Sequence, residues 1–362
     1  MEPSAEGRRR RVLVTGGAGF VGANLAVELA GRRPDWELVA LDSLRRRGSE
    51  LNLPRLREAG VRFVHGDVRE MDDLLVIEPL DAVLECSAEP SALAGLDGDT
   101  RYVIGSNLIG AHNCLELARR DGAQVVFLST SRVYPFTALD RAAYREGPTR
   151  FELDPEQDIP GVSAAGVSEA FTLEGARTLY GATKLAAELL VAEYASNFGI
   201  RTVIDRFGVI AGPWQMGKVD QGVFTYWVLG HYFRRELRYI GYGGSGKQVR
   251  DLLHVQDAAD LIEDQLLRPD HWNGRTVNVG GGPEFSLSLR ETTELCREIT
   301  GNRVEVTGSE ETRPGDVRIY LSDCARLHAL TDWRPRREPR RVLEDVFTWI
   351  ADHEAAVEAV LA

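Results

Sequence analysis

Cysteine is scarce in this chain, and its four copies stand apart. They lie at 86, 114, 296 and 324, with no pair at C-x-x-C spacing, which argues against a disulfide framework or a zinc knuckle. No metal is expected. Cys86 and Cys114 sit inside apolar segments, where a free thiol behaves as a small hydrophobe. Long apolar runs are missing: nothing approaches the ~18 residues of a membrane span. The N-terminal stretch MEPSAEGRRRRVLVTGG has no apolar core with a cleavage site, so no secretion signal is expected either. Positive charge is in deficit: 43 Lys and Arg against 55 Asp and Glu leave a net charge of -12. That disfavours nucleic acid or an anionic membrane as main partner. It leaves a small anionic ligand open, because a ligand responds to local charge. These absences fit a reduced, cytoplasmic protein. Internal repeats and low-complexity tracts are also missing.

What is present is length and alternation. The chain has 362 residues, 43% of them hydrophobic, enough for a sizeable core and, at ~150 residues per domain, for two domains. Residues 1–10, with the run Arg8–Arg11, read as a solvated, disordered tail. From there strand-like and helix-like runs alternate. RVLVTG (11–16), WELVALD (36–42), VRFVHGD (61–67), DAVLEC (81–86), AQVVFLS (123–129) and RTVIDRFG (201–208) are strand-like; 22–32, 107–120 and 180–198 have helical spacing. Such alternation predicts an α/β fold, a doubly wound parallel sheet covered by helices on both faces, with ligands at the carboxyl ends of the strands. Residues 11–207 form this domain, interrupted by a proline-bearing excursion at 136–179 placed over the site; 249–282 returns to it. Residues 208–248 and 283–362 form a smaller α/β substrate-binding lobe ending in one helix, 340–361.

TGGAGFVG (15–22) puts glycines at 16, 19 and 22 between a strand and a helix. Glycine permits the tight turn and a close approach to a pyrophosphate, and the helix N-terminus offers unpaired N–H groups and a positive dipole end. Gly16, Gly19, Phe20, Val21 and Gly22 are the candidate dinucleotide contacts. Asp42 closes the second strand, where a carboxylate accepts from an adenosine ribose and repels a 2′-phosphate. NAD is therefore expected over NADP, although Arg45–Arg47 stand close by and can reach a phosphate. Asp67 and Val68, after the third strand, are candidates for the adenine pocket. As for any such positions, turns and caps are the competing reading.

Tyr180 and Lys184 lie i, i+4 on one helical face. A free phenol, with a pKa of ~10, is a poor base; a neighbouring ammonium favours the phenolate and makes the pair a proton-transfer device. Upstream, STSRVYP (129–135) ends a strand in three hydroxyls. The order TGxxGxxG, Asp after the second strand, Ser-Thr-x-x-Val-Tyr and YxxxK resembles the extended short-chain dehydrogenase/reductases, Rossmann-fold enzymes acting mostly on nucleotide sugars. The resemblance runs from Arg11 onward. It implies NAD as cofactor, Thr130, Tyr180 and Lys184 as catalytic hydroxyl, base and lysine, and a homodimer built on helices 107–120 and 180–198.

Arg132 bears on the chemistry. Dehydratases of that family carry acids just after the catalytic hydroxyl, whereas this chain has Ser131 and Arg132, and guanidinium does not deprotonate. Glu89, or an acid in 136–179, can substitute. Segments at 212–228, 244–257, 285–291 and 313–323 are similar to those of CDP-tyvelose (CDP-paratose) 2-epimerases, which implies C2 epimerisation of a CDP-hexose through transient oxidation. A 4-epimerase or 4,6-dehydratase, a nucleotide-binding sensor without catalysis, and a scaffold subunit are the alternatives. For the substrate, Arg250 and Arg313 are candidates for the pyrophosphate, and Glu89, Arg132, Gln215 and Gln221 for the sugar or base. Ion pairing of the arginines and solvent contact of the glutamines are the plainer readings. Trp214 stacks on a ligand or packs in the core. Asp257 is placed as the N-cap of the helix that follows it, and His254 braces the same helix. ECSAEPSA (85–92) and Pro135 depart from the family pattern.

Overall fold

The computed structural model describes residues 8–96, 98–218 and 221–361. Seven parallel strands form the central sheet, in the spatial order Arg275–Val279, Thr202–Phe207, Gln124–Thr130, Ala82–Glu85, Arg10–Thr15, Trp36–Asp42, Arg62–His65. The chain runs outward from Arg10–Thr15 on one side, then returns to lay Ala82–Glu85 on the other. The crevice at the carboxyl ends of those two strands is where a doubly wound sheet binds ligands. Strands covered on both faces read as continuous apolar runs, and Val12, Leu13 and Val14 are all fully buried. Six strands lie where the sequence pattern puts them. The seventh, Arg275–Val279, pairs with Thr202–Phe207 (Asp205 opposite Val277). Helix Val255–Leu267, just before it, packs on helix Phe20–Arg32, with Arg32 2.8 Å from Asp260 and Arg33 2.7 Å from Glu263.

Of the expected tail, residues 1–7 lie outside the described residues. Arg8 pairs with Asp81 at 2.7 Å and Arg10 already starts the first strand, its guanidinium 4.9 Å from the Trp36 ring centroid. The single C-terminal helix expected over 340–361 is two helices, Pro339–Asp352 and Glu354–Leu361. The break falls at His353, which leaves helical φ/ψ and sets its ring 4.5 Å from that of Trp214. Trp214 belongs to the lobe core: it also packs 5.8 Å from Trp349. His254, rather than Asp257, caps helix Val255–Leu267, its Nδ1 accepting from Gln256 N–H at 3.0 Å. Asp257 instead receives the Arg336 and Arg337 amides and the Arg337 guanidinium.

The lobe carries a four-stranded sheet (Val209–Ala211, Val249–His254, Ser286–Ser288, Ile319–Tyr320) and a parallel pair, Leu237–Ile240 with Val306–Ser309. Helices Val223–Tyr232, Leu289–Thr300 and Pro339–Asp352 share one apolar core. The 136–179 segment straps the two units together. Arg150 forks onto Glu291 at 2.7 and 2.9 Å, Val167 bridges Ser322, and Asn278 Nδ2 donates to Val167 O at 2.8 Å.

Asp205, mid-strand and fully buried, has one side-chain partner, Gln265 Nε2 at 2.8 Å. Burial pushes its carboxyl from 3.8 to about 7. The folded state therefore binds a proton that the unfolded state releases, so stability is lost as pH rises from the ordinary carboxylate value toward 7. Asp205→Asn keeps the shape and removes the charge. It is expected to stabilise the protein by about 1–3 kcal/mol at pH 8 and by less at pH 5, read by denaturant melts at both values; an equal effect at both would refute the linkage.

Candidate functional site

Helix Leu179–Phe198 starts with Thr178, whose hydroxyl accepts from Gly181 N–H at 3.3 Å. Tyr180 follows in the first turn and Lys184 one turn later. A Cβ on Gly181 would lie 2.0 Å from the Arg132 carbonyl oxygen. Only glycine lets the helix start abut the turn that ends strand Gln124–Thr130, and that approach puts Tyr180 and Thr130 on the wall of one cavity. Sequence reading passed over Gly181; its place between Tyr180 and Lys184 was the available signal.

Lys184 sits deeper, only 1% exposed. Its Nζ is 3.2 Å from Glu85 Oε2 and 3.9 Å from the centroid of Phe127. Burial pushes the Glu85 carboxyl up and the Lys184 charge pulls it back. One turn on, Glu188 accepts from Arg206 at 2.7 and 3.1 Å and from the Ser129 hydroxyl. Arg206 also donates to the Tyr134 hydroxyl, which donates to Asn278 at 2.7 Å. Ser129 and Tyr134 are thus fastenings between helix and sheet. Pro135 caps the short helix Phe136–Leu139. Asn107 braces the other side, its Nδ2 donating to Thr183 at 3.1 Å and to the Glu89 carbonyl.

At the switch point the TGGAGFVG turn makes a cradle. Gly16 has φ +60°, and Gly19 N–H donates to Gly16 O at 2.9 Å. A Cβ on Gly22 would stand 2.3 Å from Gly16 O, and one on Gly17, a position the motif reading missed, 2.7 Å from Val14 O. The Asp42 carboxylate accepts from Leu44 N–H at 2.8 Å and Ala18 N–H at 3.1 Å; burial pushes its carboxyl up against the pull of these donors. The cleft above, of about 200 Å³, is lined by Gly16, Gly19, Phe20, Val21, Gly22, Asp42, Asp67 and Val68. For Asp67, burial is outweighed by Arg69, which holds the carboxyl below the usual range through a 2.6 Å bond. The three arginines at 45–47 border the cleft but turn to protein: Arg45 lies 4.1 Å over Tyr102, Arg46 meets Gln221, and Arg47 reaches the Ala359 carbonyl. The glycine cradle and an acidic ribose end fit a dinucleotide without a 2′-phosphate.

The neighbouring cavity, about 620 Å³, brings together Thr130, Arg132, Tyr180, Gln215, Gln221, Arg250 and Arg313. Glu89, expected to contact substrate, is not on its wall; the carboxylate accepts from Ser91 N–H at 3.2 Å. Gln215 is spoken for by the Ile210 carbonyl at 3.1 Å and the Thr225 hydroxyl at 2.5 Å. Arg250 pairs with Asp316 at 2.7 Å while still facing the cavity.

The profile of the NAD dependent epimerase/dehydratase family matches residues 12–280. This chain belongs to that family. A CDP-paratose 2-epimerase of Salmonella typhi is 29% identical over 356 residues, 94% of this chain and 98% of that protein. A dTDP-glucose 4,6-dehydratase of Mycobacterium tuberculosis is 32% identical over 350 residues, 95% of this chain and 94% of its own. Among solved structures, the UDP-glucose 4-epimerase of Thermus thermophilus in complex with NAD superposes with TM-score 0.74 at 25% identity, over 94% of this chain and 99% of that one. The family is NAD-dependent, and the cradle and Asp42 fit that cofactor. Among the described residues, no helix is long and apolar enough to cross a membrane.

Removing one member of a buried ion pair strands the other charge, at about 3–5 kcal/mol. Glu85→Ala should therefore lower stability by about that amount, and Glu85→Gln by less, because an amide oxygen still accepts from Lys184. Urea denaturation measures both. An unchanged midpoint for the alanine variant would show that Lys184 does not depend on Glu85.

Proposed function

We propose that the protein is an isomerase, an NAD-dependent nucleotide-sugar epimerase that inverts C2 of a CDP-hexose. The observation that carries this reading is the shared cavity wall of Thr130 and Tyr180, with Lys184 one helical turn behind and no acid in the two positions after Thr130. NAD, when bound, supplies a hydride acceptor that later returns the hydride. Tyr180 takes the proton of the C2 hydroxyl as the carbonyl forms and gives it back on re-reduction. Lys184 has donors beyond the one used by Glu85 for the nicotinamide ribose. Thr130 hydrogen-bonds the reacting oxygen. Arg250 and Arg313 face the diphosphate, and Gln221 the sugar or base. Re-reduction from the opposite face requires the keto-sugar to turn over, for which the cavity has room.

The 4-epimerase and 4,6-dehydratase readings use the same triad. Dehydration also needs a proton donor for the leaving hydroxyl. Among the described residues the carboxylates on the cavity wall are Glu236 and Asp316, and Asp316 is engaged by Arg250. That arrangement favours reversible oxidation of one carbinol. A CDP-hexose carrying deuterium at C2 tests the proposal: the epimer should form with its label retained, followed by NMR. Tyr180→Phe should lower kcat by roughly 10²–10⁴-fold. Turnover at C4 with an inert C2, or a 4-keto-6-deoxy product, would overturn it.

We also propose a cytoplasmic homodimer. Leu189 and Phe198, on helix Leu179–Phe198, are 63% and 53% exposed, and Ile109, before helix Gly110–Asp121, is exposed as well. Leu189→Glu is expected to convert a dimer into a monomer by light scattering at micromolar concentration; a wild-type monomer would refute the arrangement.

A further inference from the structure

Arg132 is a cation placed without a counter-charge. Its backbone N–H donates to Thr130 Oγ1 at 3.2 Å, so its position is tied to the hydroxyl proposed to meet the reacting oxygen. The carbonyl of the same residue abuts Gly181, which fixes its backbone against the helix bearing Tyr180. The guanidinium makes one side-chain hydrogen bond, from Nη1 to Gly315 O at 2.8 Å. Among the described residues no carboxylate lies within ion-pair distance of it; the neighbouring Asp316 is engaged by Arg250 at 2.7 Å and by the Val317 amide. Arg132 lines both the large cavity and a small side pocket of about 40 Å³. Burial, and then the like charge of Arg250, pull the guanidinium below its ordinary value, yet it remains a cation at neutral pH. Half-buried on the cavity wall, it has four N–H donors that no group of the described residues uses and that an anion entering the cavity can take.

We infer that Arg132 binds the phosphate on C1 of the substrate sugar, and that this contact determines which ring carbon reaches Tyr180. A guanidinium forks onto phosphate oxygens. C2 is bonded directly to C1, so a cation two residues from Thr130 meets the C1 phosphate when C2 is the reacting carbon. C4 lies across the ring, and its presentation would carry the phosphate away from Arg132. The regiochemical half of this inference rests on the epimerase proposal; the need of Arg132 for an anion does not. A carboxylate on the sugar ring is the other source of the same chemistry.

Calorimetry on the NAD-bound protein separates these. With Arg132→Gln, CDP-glucose should bind roughly 10- to 100-fold more weakly, with Arg132→Lys recovering part of the loss. Cytidine monophosphate, which lacks the sugar-side phosphate, should change by less than about threefold, the effect of an indirect perturbation. UDP-glucose and UDP-glucuronate should lose affinity equally. Selective loss for UDP-glucuronate would move Arg132 to a ring carboxylate and overturn the inference, as would unaltered CDP-glucose binding. If the glutamine variant does not fold, the lysine variant decides by the same ratios. Arg132-dependent CDP-glucose binding without C2 turnover would overturn the epimerase proposal and leave the phosphate site standing.

Discussion

Two buried ion pairs, one helical turn apart, determine where the candidate reacting groups sit. Lys184 is tied to Glu85 on strand Ala82–Glu85, and Glu188 to Arg206 on strand Thr202–Phe207. Both pairs are almost wholly desolvated, so neither is a cheap source of stability. What they provide is registry. A helix packed on a sheet through Ala187 and Val191 alone would have several acceptable slides, because apolar contact is not directional. Charged hydrogen bonds at two heights on one helix allow a single one, and that setting places Tyr180 at the mouth of the cavity and Lys184 beneath it. Gly181 belongs to the same constraint, since the helix reaches the required depth only where no Cβ opposes the Arg132 carbonyl.

The same pairs explain why the stretch after the fifth strand mixes two jobs. Ser129 and Tyr134 point into the fastening network, whereas Thr130 and Arg132 face the cavity. Ser129 and Thr130 end the strand on opposite faces, and the tight turn Ser131–Val133 that follows turns Arg132 to the cavity and Tyr134 back to the network. A segment of hydroxyls that looks uniform on paper is divided by its geometry.

The central sheet was legible because its strands are short, β-branched and bounded by glycine or aspartate, and because a glycine-rich turn in strand–turn–helix context has few other uses. The glycines, Asp42, Asp67 and Val68 lie together on one cleft, where that motif puts them. Legibility fell wherever a partner comes from far along the chain. Glu85 read as a family departure with no role; its significance depends on Lys184, ninety-nine residues away. Glu89 drew attention as the nearer acid, but a local turn uses its carboxylate. Gln215 lines the cavity, but its amide is bonded to Ile210 and Thr225. The strap at 136–179 carries little periodicity because its helix and two hairpins are each too short to show one, and side-chain bonds such as Arg150–Glu291 help to hold it. The break at His353 is invisible to a helical pattern that continues through it, being set by packing on Trp214.

Charge ties these features together. The chain as a whole is strongly acidic, yet its large cavity gathers Arg132, Arg250 and Arg313 against Glu236 and Asp316. An acidic exterior repels anions at long range but is screened beyond about a Debye length, whereas arginines inside a low-dielectric cleft act at full strength on whatever enters. Attraction of an anion therefore resides in the cavity alone. Within it the roles are graded by pairing: Arg250 shares its charge with Asp316, and Arg132, paired with no acid among the described residues, has most to gain from an incoming anion. Under the proposed function a nucleotide sugar would be positioned from its charged end, with its ring left to be oriented by Tyr180, Thr130 and the cavity wall.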